Sequence, residues 1–351
     1  MRLTKNIKIF FNYFLGPLLF VWLAFSIFNQ IRGQARLEES WIRIRSSFGS
    51  YQIFYLLAAI FLIPINWGLE ALKWKYAIQK LYPINLFQSF KAILAGVSFS
   101  VTMPNRIGEY FGRMMYMPEG NRLKTISVTV VGSLAQLLIT LIAGCIGWIV
   151  LKDKLLDAFP KARIWYQFLL YGLVMVTMVL LFFYFQVKRV AGIMSTWQRA
   201  RKYLYLVEGL SKLEPKLLSG ILLLSAARYS VFLLQYVCVY FFFQVNVPVA
   251  TILAVMNVVF LAIAVIPSIA LLEVGLRGEI SLRLMGLFSA NLLGISFASV
   301  TVWCMNLILP AIVGSLLILN LRIFKKRNEV RQTTDTGRVV SLTDRAAKRE
   351  S

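Results

Sequence analysis

Histidine is absent from this 351-residue chain, and only four aspartates occur, Asp153, Asp157, Asp335 and Asp344. The commonest metal ligand and physiological proton shuttle is therefore missing. With so few aspartates, a metal-bound nucleotide or nucleotide-sugar site is not expected, and neither is any other metal or cofactor. Three cysteines, Cys145, Cys238 and Cys304, are scattered through apolar stretches. Their spacing fits neither a disulfide framework nor a zinc site. Charge is scarce as well. Charged residues make up 15% of the chain and hydrophobic ones 59%, and the mean hydropathy is +0.71. A soluble domain carries about a quarter charged residues, so a soluble globular fold is excluded.

What is present is a series of long apolar runs: Ile9–Phe28, Ile53–Leu69, Leu86–Met103, Ser127–Leu151, Trp165–Phe185, Leu217–Phe243, Ala250–Ile266 and Asn291–Leu321. Each approaches the ~20 residues a helix needs to cross a bilayer. The first follows Arg2, Lys5 and Lys8 but is long for a signal core, which favours a retained span. The net charge of +23 reports loops held on the cytoplasmic side and gives no reason to expect a nucleic-acid partner.

Eight full crossings leave Lys and Arg almost evenly divided, 19 against 17. If Leu86–Met117 and Ala250–Phe288 are instead re-entrant hairpins, six runs cross. The division then becomes 24 inside against 8 outside, with both termini cytoplasmic. The predicted fold is thus an all-α polytopic membrane protein. It has about six full spans, two hairpins entering from opposite faces, and an inverted-repeat-like plan. Residues 1–321 form the membrane domain. Residues 322–351 form a basic cytoplasmic tail without a packed core, suited to contact with anionic inner-leaflet lipids.

The hairpins carry the chemistry. Gly-Glu occurs only at Gly108-Glu109 and Gly278-Glu279, and each time an arginine follows four residues after the glutamate, Arg113 and Arg283. Pro104 and Pro267 lie upstream as helix breakers. The pattern reads as an internal repeat that brings the Glu109–Arg113 and Glu279–Arg283 pairs together at mid-depth. Arg106 and Arg277 add positive charge; Arg228 and Lys91 are further candidates, and Glu273, Gln136, Gln235 and Asn257 lie in apolar surroundings. Guanidinium forks suit phosphate, so the expected ligand is an anionic head group, with the glutamates orienting the arginines, meeting an amine or taking up a proton. Each Glu–Arg pair could instead simply neutralise itself and pin its hairpin.

The stretch from Gly96 to Arg113, with Pro104, Arg106, Gly108, Glu109 and Arg113, resembles the most recognisable block of the lysylphosphatidylglycerol synthase transmembrane region, a flippase-like family. The segment Pro267…Glu273…Arg277-Gly-Glu279 is similar to that family's second block, with Pro267-Ser-Ile-Ala-Leu-Leu where a Pro-Gly-Gly-like stretch is usual. The resemblance implies a cytoplasmic-membrane protein that moves a lipid head group, an aminoacylated phospholipid or a polyprenyl-linked sugar, between leaflets. In the family's synthase members a soluble aminoacyl-transfer domain follows the membrane region; with thirty residues after Leu321 no such domain is expected here, and modification of the lipid is expected of a separate lipid-modifying enzyme. Two alternatives remain open, an integral-membrane transferase acting on a lipid phosphate and a non-catalytic membrane partner of such an enzyme.

Overall fold

The computed structural model describes residues 16–33, 37–102, 107–196, 209–266 and 270–319. Met103–Arg106, Pro267, the surface helix expected over Gln198–Leu213 up to Glu208, and the basic tail lie outside the described residues. The described residues are helical, with no strand among them. The elements are α1 (Gly16–Arg32), α2 (Leu37–Ser47), α3 (Ile53–Ile78), α4 (Leu86–Thr102), α5 (Gly108–Met115) and α6 (Arg122–Val150). After the short α7 (Lys152–Ala158) come α8 (Arg163–Phe185), α9 (Val187–Thr196), α10 (Pro215–Phe242), α11 (Val249–Val265) and α12 (Ala270–Met285). The last, α13, runs Leu292–Leu319 and is interrupted by a π-helical turn at Cys304–Ile308.

Five of these helices are long and apolar enough to cross a bilayer, α3, α6, α8, α10 and α13. The shorter apolar helices α4 and α11 are the first arms of the two hairpins, as the sequence predicts. Each arm has 17 residues, the lower end of what a crossing needs, and is followed closely by a second helix packed against it. Glycine makes the first hairpin possible. A methyl group on Gly112 would overlap the backbone of Gly96, and one on Gly108 would overlap that of Phe99. The arms α4 and α5 therefore meet backbone to backbone, a closeness only small residues permit.

The chain is built twice. Helices α3 to α6 are matched in order by α10 to α13: a long helix, a two-armed hairpin, then another long helix. The long helices α3 and α10 pack against each other. The first arm of each hairpin packs on the other half's last helix. Gly147 of α6 lies against Ala254 and Asn257 of α11, while Gly314 of α13 lies against the backbone of Leu94 in α4. Ser98 and Ser315 close the second contact with a 2.6 Å hydrogen bond. Two apolar cores result. One gathers around Trp74, Ile93 and Leu138 in the first half, the other around Tyr240, Val255 and Ile295 in the second. On α8 only Tyr166, Thr177 and Tyr184 are buried, and its outward side chains are apolar, as befits a surface facing lipid.

Candidate functional site

Between the two halves lies a cavity of about 550 Å³, lined by charged and polar side chains from α3, α5, α6, α10, α12 and α13. Its charged members are Glu70, Lys73, Glu109, Arg113, Arg228, Glu273 and Arg277, four cations against three acids. The centre of the charge is Glu70 on α3. Its carboxylate accepts from Lys73 at 2.6 Å, Arg113 at 2.9 Å and Arg228 at 3.0 Å. The Glu70, Lys73 and Arg113 side chains are each 5% exposed or less. So dry a cluster is tolerable only because each charge has an opposite partner at hydrogen-bonding distance. Arg113 also donates to Glu109 at 3.3 Å, one turn earlier on α5. The predicted Glu109–Arg113 pair therefore exists, but it is anchored to a third carboxylate on another helix.

Neutral groups extend the network. Arg228 donates through Nε to Asn66 at 3.1 Å and stacks its guanidinium on Trp67. Asn66 donates to Asn306 at 2.6 Å, and Asn306 to Gln235 at 3.0 Å; Gln235 in turn donates to the Ala59 carbonyl. Asn306 sits inside the π-helical turn of α13. Pro310 follows four residues later, lacks an N–H, and its ring crowds the Asn306 carbonyl, which accounts for a widened turn there. The wider turn aims Asn306 at α3 and α10 and ties the three long helices together.

The second hairpin contributes Glu273 and Arg277. Arg277 donates to Glu273 at 2.5 Å and to the Tyr236 hydroxyl at 3.0 Å, and its guanidinium lies over the rings of Phe232 and Phe260. Here the structure corrects the register of the repeat. Glu109–Arg113 is matched across the cavity by Glu273–Arg277, and the Glu279–Arg283 pair does not line the cavity. On a helix, Glu279 points well away from Glu273 and faces α1 instead. There it accepts from both Ser26 and Gln30, while Arg283 closes on it at 2.7 Å with its own side chain 65% exposed. Gly275 and Gly278 let α1 approach, with Leu23 and Ile27 nearest.

Lys91 is likewise not among the cavity-lining residues; its ammonium lies over the Phe87 ring, 4.3 Å from the centroid. Arg228 does line the cavity, and Arg106 lies outside the described residues. Gln136 lines the cavity, Gln235 joins the polar network, and Asn257 accepts from Tyr229 at 2.8 Å. Glu70 and Lys73 were missed because they follow immediately after the apolar run that ends at Leu69. The charge count also placed Lys73 on the cytoplasmic side, whereas it is buried within α3. Their signal was spacing: Asn66, Glu70 and Lys73 fall on one helical face, beside Trp67 and Trp74.

A multi-pass helical membrane protein with a polar, ion-paired cavity between two broken-helix hairpins is the class these features define. The family model described as Lysylphosphatidylglycerol synthase TM region matches residues 13–277. The chain belongs to that family, and its place is in membrane lipid metabolism or transport. No curated protein and no solved structure matches the chain.

Proposed function

We propose that the protein is a lipid flippase-like transporter of the cytoplasmic membrane, with N- and C-termini cytoplasmic, moving an anionic or zwitterionic lipid head group between leaflets. The observation that carries this reading is the cavity itself: seven charged side chains and a belt of amides sit between hairpins in an otherwise apolar helical body. A head group in bare hydrocarbon loses its hydration at a cost of many kcal/mol, and a polar, charge-lined path lowers that barrier while the tails stay in lipid. Arg113, Arg228 and Arg277 offer forked donors suited to phosphate, and Glu70, Glu109 and Glu273 keep them oriented.

The protein acts without catalysing a reaction, and any modification of its lipid is the work of a separate enzyme. The reading is tested by reconstituting the full chain in vesicles with an acyl-labelled lipid and following loss of the label's accessibility. The Glu109→Gln, Arg113→Ala double variant is expected to lower the translocation rate about tenfold or more, the loss of a charge-assisted contact. An unchanged rate would falsify the proposal.

A further inference from the structure

Within this cavity every carboxylate is already engaged by a cation of the protein. Glu70 holds three of them, Glu109 holds Arg113, and Glu273 holds Arg277. Three of the lining ring faces beside these pairs are engaged as well. Trp67 lies under Arg228, and Phe232 and Phe260 lie under Arg277. Cations exceed acids by one among the lining residues. An incoming amine would have to displace a buried arginine from its carboxylate or ring, leaving an uncompensated charge in a dry wall. An anion meets the opposite situation: the Arg113 Nε is buried without a protein partner, beside the excess positive charge.

The remaining wall is uncharged; among its apolar side chains, Ser133, Gln136, Thr140, Tyr229 and Asn306 bring hydrogen-bonding groups to the space. The Gln136 Oε1 is buried and has no protein donor. Such a wall suits hydroxyl groups, which donate and accept without bringing charge.

Resting on the transport reading above, we propose that the site selects a phosphodiester carrying an uncharged polyol or sugar and discriminates against head groups bearing an amine. Glycerol-phosphate lipids and prenyl-linked phosphosugars share this chemistry.

The test uses the full chain in two formats. In detergent, native mass spectrometry follows competition among phosphatidylglycerol, phosphatidylethanolamine and lysyl-phosphatidylglycerol with identical acyl chains, and separately a prenyl phosphosugar. Retention of phosphatidylglycerol or the phosphosugar about tenfold above both amine-bearing lipids is expected, since specificity is a difference of affinities. The better retained of the two identifies the source. Equal or stronger retention of either amine-bearing lipid overturns the proposal. Arg228→Gln should erode the preference toward parity. In vesicles, failure to translocate any of the four sinks the transport reading, while the retention ratio still decides the charge preference on its own.

Discussion

The two halves of the molecule place the same Glu-x-x-x-Arg pair on the second arm of a hairpin and then support it differently. In the first half Arg113 leans on Glu70, a carboxylate on the neighbouring long helix that also gathers Lys73 and Arg228. In the second half Arg277 leans on Tyr236, a phenol, and on the faces of two phenylalanines. One support is ionic and many-partnered, the other neutral and aromatic. Repetition of a backbone plan thus leaves the electrostatics free to diverge. The cavity has a strongly charged end and a soft, polarisable one, and the excess cation lies at the first.

The largest test of this asymmetry is to remove each support. Glu70→Gln leaves three cations crowded on a dry wall and should lower stability by about 3–5 kcal/mol, as uncompensated buried charge does. Tyr236→Phe removes one hydrogen bond from the Arg277 guanidinium while leaving its ion pair with Glu273, and should cost about 1.5–2 kcal/mol. Unfolding of the two variants in mixed micelles by denaturing detergent compares them directly. Similar losses would mean that the halves differ in chemistry but not in energetics.

A second contrast lies in how the second arms pack, α5 on α4 and α12 on α1. Gly112→Val forces the backbones of α4 and α5 apart and should cost about 3 kcal/mol of overpacking. At Gly275 the nearest atoms belong to the movable Leu23 side chain, 3.1 Å from an added methyl. Gly275→Ala should therefore change stability by under about 0.5 kcal/mol, because the gain in helix propensity offsets the crowding. Thermal aggregation curves of the two proteins in one detergent would reveal a reversed order, which would remove the claim that the α4–α5 contact depends on glycine more than the α12–α1 contact does.

The smallest expected effect belongs to the outer pair. Glu279→Gln, buried against α1 and away from the cavity, should leave lipid translocation within about twofold of the parent, because it takes no charge from the cavity wall. A loss comparable to that of the Glu109→Gln, Arg113→Ala double variant in the same vesicle assay would restore Glu279 to the site and undo the pairing of Glu109–Arg113 with Glu273–Arg277.

Much of this was legible beforehand. The hairpins announced themselves through Pro104 and Pro267, and Glu109, Arg113, Arg228 and Arg277 stood out as charges in or beside apolar runs. The register of the second pair was not. Glu273–Arg277 and Glu279–Arg283 share the same four-residue spacing, and the Gly-Glu dipeptide pointed to the wrong one. Only the packing of α1 on Gly275 and Gly278 decides which helical face is turned from the cavity. Glu70 was hidden for a different reason. Hydropathy ends a span at its first charge, whereas α3 continues to Ile78 and buries that charge. Asn306 gave no signal, since its aim depends on a widened turn that a regular periodicity does not contain.

That widened turn also sets a phase relation along α13. Upstream, Val302 and Ile295 sit in the core of the second half; downstream, Gly314 and Ser315 grip the first hairpin through Leu94 and Ser98. Rewinding Cys304–Ile308 as regular α-helix, with no residue removed, would rotate everything beyond it by about 100°. Gly314 would swing off Leu94, and a bulkier side chain would be presented to the α4 backbone. The helix is a crankshaft whose one offset keeps the two hairpins in time with each other.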